Sequence, residues 1–204
     1  MAYAQADGMT IEDITRLKSV TGVELSEDGN YAAYTVTDPA NPMKHNRSSE
    51  VHLYVYHHNT GEQIAYYTRG SVSDVSFRPQ HETITFTARP EGEKVNAIYE
   101  MPIHGGGPRK VYQFETSIGD YEWASNGQRL AFTAARPSGD KSSVLPFQPD
   151  IHEEGMRNRK GHVINLAGDD PSTEALKVEG TVYTIRWSPD DEKCGCRDAE
   201  NFRV

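Results

Sequence analysis

Hydrophobic and polar positions alternate along most of the chain with a period of two, and the alternation restarts at intervals. "YEWASNGQRLAF", at 121–132, reads as a strand, a tight polar turn and a second strand. A large residue ends the first strand of such a hairpin, and nine positions on the chain returns to the same layer. Leu25 leads through "SEDGNYAA" to Tyr34, Phe77 through "RPQHETIT" to Phe86, and Trp123 through "ASNGQRLA" to Phe132, while Trp187 opens a fourth unit. Positions seven and nine after each anchor are Ala32/Tyr34, Ile84/Phe86 and Leu130/Phe132, a strand with one face inward. The same arithmetic lands on Cys194 and Cys196, which reads as two small apolar side chains filling core slots, ahead of a Cys-x-Cys metal or redox site.

Two further strands follow each hairpin. The stretches 51–68, 96–114 and 162–178 are each an apolar strand, a Gly-containing turn and a β-rich return. Four short antiparallel strands per repeat of roughly 40–50 residues is the pattern of propeller blades. The expected fold class is therefore all-β: a partial β-propeller of three four-stranded blades and a broken fourth, with a short N-terminal helix. The blades fall near 21–68, 72–114, 117–178 and 181–196, within a domain at 10–204 that follows a flexible tail at 1–9. Unequal anchor spacing traces to one place, the connection between second and third strands (37–50, 88–94 and 135–160). Insertions in that equivalent connection emerge on one face, which marks a working surface. Ahead of the first blade, "TIEDITRLKSV" at 10–20 has Thr10 as N-cap with Asp13 three later and Ile11, Ile14 and Leu17 along one side. It predicts an amphipathic helix packed on the propeller.

The opening "TIEDITRLKSVTGVELSEDGNYAAYTV", followed by blades of the "WSPD", "LAF" and "GGGPRKV" type, resembles the N-terminal part of the prolyl oligopeptidase family of serine peptidases, acylaminoacyl-peptidase-like and dipeptidyl-peptidase-like members included. The resemblance covers most of residues 9–191. It implies a lid of blades that limits peptide access to an α/β-hydrolase domain, which this chain does not contain. Peptide would thus be a partner only through that absent domain. The blade motifs alone are shared with TolB-like and WD40-like propellers, so a protein-binding module acting through its loop-rich face is the alternative. Dipeptidyl-peptidase-like relatives bind the substrate's amino end with a pair of glutamates, which puts Glu153 and Glu154 forward as substrate-binding residues. That pair lacks the aromatic surroundings of the family's motif.

No Gly-x-Ser-x-Gly occurs, so catalytic residues are not expected; Ser138 and Ser188 are turn residues by context. His57, His58, His104 and His152 have no metal-ligand spacing, and the glycines at 105–107 join two strands with no helix to hold an anion. Neither a metal nor a cofactor is expected. The formal charge of −9, from 30 acidic and 21 basic residues, disfavours nucleic acid, and Arg157, Arg159 and Lys160 read as a solvated loop. No apolar run approaches the roughly 20 residues of a membrane span. Ala2, Ala4 and Ala6 fit the remnant of a cleaved signal as well as a plain tail, which leaves cytoplasmic, periplasmic and secreted locations open. Three blades and a hairpin cannot close a ring, so the chain reads as a fragment or an interrupted frame that alone would be poorly soluble or would pair through its open edge.

Overall fold

A computed structural model describes residues 8–41, 46–137, 158–168, 171–197 and 202–203. The chain divides into two compact units, residues 1–75 and 76–204. Nearly every described element is a strand, and the strands form four antiparallel sheets in chain order.

The first sheet is β1 (Ser19–Leu25), β2 (Tyr31–Asp38), β3 (Glu50–His57) and β4 (Glu62–Tyr67). The second is β5 (Val72–Phe77), β6 (Thr83–Ala88), β7 (Ala97–Pro102) and β8 (Arg109–Tyr112). The third is β9 (Ile118–Trp123), β10 (Arg129–Ala135), β11 (Arg159–Asn165) and β12 (Thr173–Ala175). A fourth sheet holds β13 (Thr184–Trp187), β14 (Cys194–Arg197) and β15 (Phe202–Arg203). Each sheet is an up-and-down meander, the strand order of a propeller blade.

The nine-residue repeat has a common backbone cause. In all four blades the residue after the anchor donates its N–H to a carbonyl five residues on (Ser26 to Tyr31, Arg78 to Thr83, Ala124 to Arg129, Ser188 to Lys193). Its own carbonyl accepts from the residue three on (Gly29, His81, Gly127, Asp191). In three blades that last residue is left-handed, with φ of 71° at Gly29, 63° at Gly127 and 56° at Asp191. At Gly127 the conformation is reinforced by crowding: a Cβ there would stand 2.1 Å from the Pro79 carbonyl oxygen of the preceding blade. Gly127→Ala is therefore expected to cost more than the ~1–2 kcal/mol of left-handed backbone alone, read as a lowered midpoint in urea. A midpoint equal to wild type would mean that the seam yields freely.

The later blades lay their anchor layer on the blade before. Trp123 and Tyr121 of β9, Leu130 and Phe132 of β10 and Ile164 of β11 pack with Ile98 of β7, and Tyr112 and Phe114 close the cluster. The Tyr121 hydroxyl and the Trp123 indole N–H both reach Thr85 Oγ1, each at 3.0 Å. The fourth sheet rests on the third in the same way, through carboxylates. Asp120 Oδ2 accepts from the Ile185 N–H at 3.0 Å and Glu122 Oε2 from the Trp187 N–H at 2.6 Å. Cys196 is buried beside these contacts, and burial pushes the Cys194 thiol up to about 12, so it stays protonated and inert. Cys196 fills a core slot, while Cys194 is half-buried.

Three expectations are corrected. The helix is one turn, α1 (Ile11–Ile14), and β1 begins at Ser19, because the β-branched Val20, Thr21 and Val23 favour extended backbone. Its N-cap forms as read, with Asp13 N–H to Thr10 Oγ1 at 3.1 Å and Thr10 N–H to Asp13 Oδ2 at 2.9 Å. The helix is not packed: Ile14 and Leu17 are 57% and 56% exposed. Nor is Leu25 a core anchor, at 67% exposed, because no described blade precedes the first and its anchor layer stays uncovered. Finally, the end of the chain does contribute a third strand to the fourth sheet, β15, which pairs Arg203 with Cys196.

Candidate functional site

The longest inserted connection leaves the third blade after β10 and returns at β11, so its end of the blade is where a working surface was expected. Two kinds of connection meet there, from second to third strand and from fourth strand to the next blade. Arg136 N–H donates to the Asn158 carbonyl at 3.4 Å, where the two arms of the insertion come together. Asn158 Oδ1 accepts from the Thr181 hydroxyl at 2.7 Å, and the Val182 N–H donates to the Arg159 carbonyl at 2.9 Å. The Lys160 ammonium holds the carbonyls of Val178 (2.7 Å) and Gly180 (3.1 Å), fixing the path from β12 to β13.

Between these arms lies a cleft of about 520 Å³, within the range of ligand sites. Phe114, His162, Leu176 and Val178 make its half-buried wall, and Arg136, Lys177 and Glu179 stand exposed at its rim. Ala175, the last residue of the blade's outermost strand, lines it as well. His162 is stacked on Phe132 (centroids 5.1 Å apart, 17° between planes) and lies against Phe114 at 4.7 Å. Burial among these rings lowers its pKa from the usual 6.5.

That shift carries a sign. The unfolded chain takes up the imidazole proton before the folded one does, so His162 contributes its full share of stability above 6.5. The share is lost as pH falls through 6.5 toward the lower folded value. Between about pH 7.5 and about pH 5 the wild type should lose more thermal stability than His162→Phe, which keeps the stack and every other titrating group. Equal losses in parallel melts would refute this.

Residues singled out in the sequence are not gathered here. Glu153, Glu154, His152, Ser138 and Arg157 lie outside the described residues. Ser188 is in the β13–β14 turn, its hydroxyl donating to Asp190 Oδ1 at 2.5 Å and accepting from the Lys193 N–H at 2.9 Å. Arg159 and Lys160 belong to β11 instead of a loop, since pairing with Ala134 and Ala135 continues the ladder to the insertion. His57 stacks on Tyr31 at 4.7 Å at the end of β3, and His104 lies 3.6 Å from Glu82. Gly105 and Gly106, with φ of 100° and 142°, do turn the chain between β7 and β8. Among the described residues no three His, Cys, Asp or Glu side chains are grouped as a metal site, and no helix is long and apolar enough to cross a membrane. The sequence reading missed the cleft because its walls come from positions 114, 135–137, 160–162 and 175–179; the only signal was His162 facing Phe132 across paired strands.

Comparison with known proteins places these blades among similar ones. The chain is 28% identical over 134 residues, 65% of its length, to the uncharacterized peptidase YuxL of Bacillus subtilis, and that match spans 20% of the relative. Among solved structures, an acylaminoacyl peptidase of Pyrococcus horikoshii superposes with a TM-score of 0.64 at 17% identity, over 91% of this chain and 29% of that one. TolB from Acinetobacter baumannii superposes with a TM-score of 0.56 at 14% identity, over 88% of this chain and 38% of that one. No protein-family model matches the chain. The chain thus has the propeller fold, resembles the propeller part of prolyl-oligopeptidase-type peptidases, and spans less than a third of the peptidases it matches.

Proposed function

We propose that this chain is the non-catalytic propeller portion of a prolyl-oligopeptidase-like serine peptidase and that its blades limit which peptides reach a separate α/β-hydrolase domain. One observation carries the reading: the chain is 28% identical over 134 residues to an uncharacterized bacterial peptidase, and its described strands form four blade-type sheets. Stacked blades suit such a role because the third sheet is braced on the second and the fourth on the third, so size selection rests on rigid elements. In this reading Glu153 and Glu154 are the pair proposed for the free amino end of a peptide.

The test is the coding DNA beyond Val204 and the activity of its full product. More blades followed by a Gly-x-Ser-x-Gly elbow, and hydrolysis of short peptides in preference to unfolded proteins, are expected. Further blades with no hydrolase domain would favour a TolB-like binding module. In the active product, E153Q should raise KM for a free-amino peptide more than for its acylated form; an equal effect on both would remove that assignment.

A further inference from the structure

We propose that the cleft at the insertion end of the third blade binds the free carboxyl-terminal end of a peptide whose last side chain is apolar. The inference goes beyond the peptidase reading and does not depend on it, since the cleft is built within one blade and its flanking connections.

Three features of the cleft select this ligand. Its wall is apolar and preformed: the ring of Phe114, locked edge-on against Phe132 at 5.2 Å, the face of His162 and the side chains of Leu176 and Val178 offer a slot for one hydrophobic side chain. Its rim is cationic in a chain of net charge −9. Lys160 is occupied by two backbone carbonyls, but Arg136 and Lys177 are exposed and have no carboxylate partner among the described residues, against the single acid Glu179. Arg136 can meet a carboxylate with two parallel N–H donors. The third feature separates a peptide from a plain organic acid. Ala175, which lines the slot, ends β12, an edge strand of its sheet whose side away from β11 is unpaired among the described strands and suits the main chain of an extended peptide.

The 204-residue chain is titrated calorimetrically with N-acetyl-leucyl-phenylalanine, with its carboxyl-terminal amide and with 3-phenylpropionate. The free-acid peptide is expected to bind, the amide at least about fivefold more weakly for want of the charge-assisted bonds. Phenylpropionate should also bind more weakly than the peptide, having no backbone for the strand edge. The R136Q/K177Q variant, both positions exposed and its melting temperature unchanged, should bind acid and amide alike, and added salt should narrow the gap in the wild type. Absence of binding, equal affinity for acid and amide, or an unaltered preference in the variant would overturn the assignment. Phenylpropionate binding as tightly as the peptide would overturn it too, in favour of a small organic acid.

Discussion

On a size-exclusion column the isolated chain is expected to run as dimers or larger species, and Val23→Lys combined with Leu25→Lys to shift it toward a monomer. The cause is one face of the first sheet. Register puts Val23 opposite Tyr34, Tyr34 opposite Tyr54, and Leu25 and Tyr56 on either side of Ala32, so these side chains share a surface. Val20, Val23 and Leu25 are each more than half exposed, and the Tyr34 and Tyr54 rings stack at 5.6 Å beside them. Met9, Ile14 and Leu17 add further exposed apolar groups in the same unit. Covering a large aliphatic side chain is worth about 1.5–3 kcal/mol, so pairing draws on the whole face together to outweigh the roughly 4–15 kcal/mol that association costs. β1 is also an edge strand, with one side unpaired in its sheet. Two lysines at the centre of the face remove apolar area and add repulsion. A sharp monomeric peak for the wild type, with a cooperative melt, would contradict the argument.

Phe132→Ala is expected to destabilise the second unit by about 3–5 kcal/mol, a large part of what a domain has to spare. Phe132 is fully buried, and three rings pack on it: Tyr112 at 5.4 Å, Phe114 at 5.2 Å and His162 at 5.1 Å. Because Tyr112 and Phe114 come from the second blade and its exit and His162 from the third, no single strand can move to fill the gap. Phe132→Leu, nearer in volume, should cost markedly less. Urea denaturation measures both, and an alanine variant within 1 kcal/mol of wild type, roughly the median for any substitution, would show that the cluster relaxes.

Blades, turns and anchors were legible because their cause is local. The two hydrogen bonds that close each first turn need only a polar stretch of fixed length between alternating strands, and the residues that supply it sit within nine positions of one another. Period-two alternation at Leu25, Ala32 and Tyr34 told correctly which residues share a layer. It could not tell whether another sheet covers that layer, which depends on distant chain. The same limit hid the cleft, whose parts are separated by up to 65 positions and meet only when successive blades stack. β15 is two residues long and too short for any alternation to register.

The seams between blades carry one more implication. Arg78 stands 4.4 Å from the Trp123 ring and donates to the Gly127 carbonyl at 2.8 Å; Arg129 stands 4.8 Å from the Trp187 ring and donates to the Asp191 carbonyl at 2.6 Å. In both, a guanidinium of one blade clasps the anchor tryptophan and the left-handed corner of the next. Arg78 directly follows its blade's anchor and Arg129 opens β10, so the same tryptophan-and-corner seat accepts an arginine from either place. A unit excised or duplicated between two such seats would still offer each tryptophan a guanidinium, which gives genes an easy route to different blade numbers.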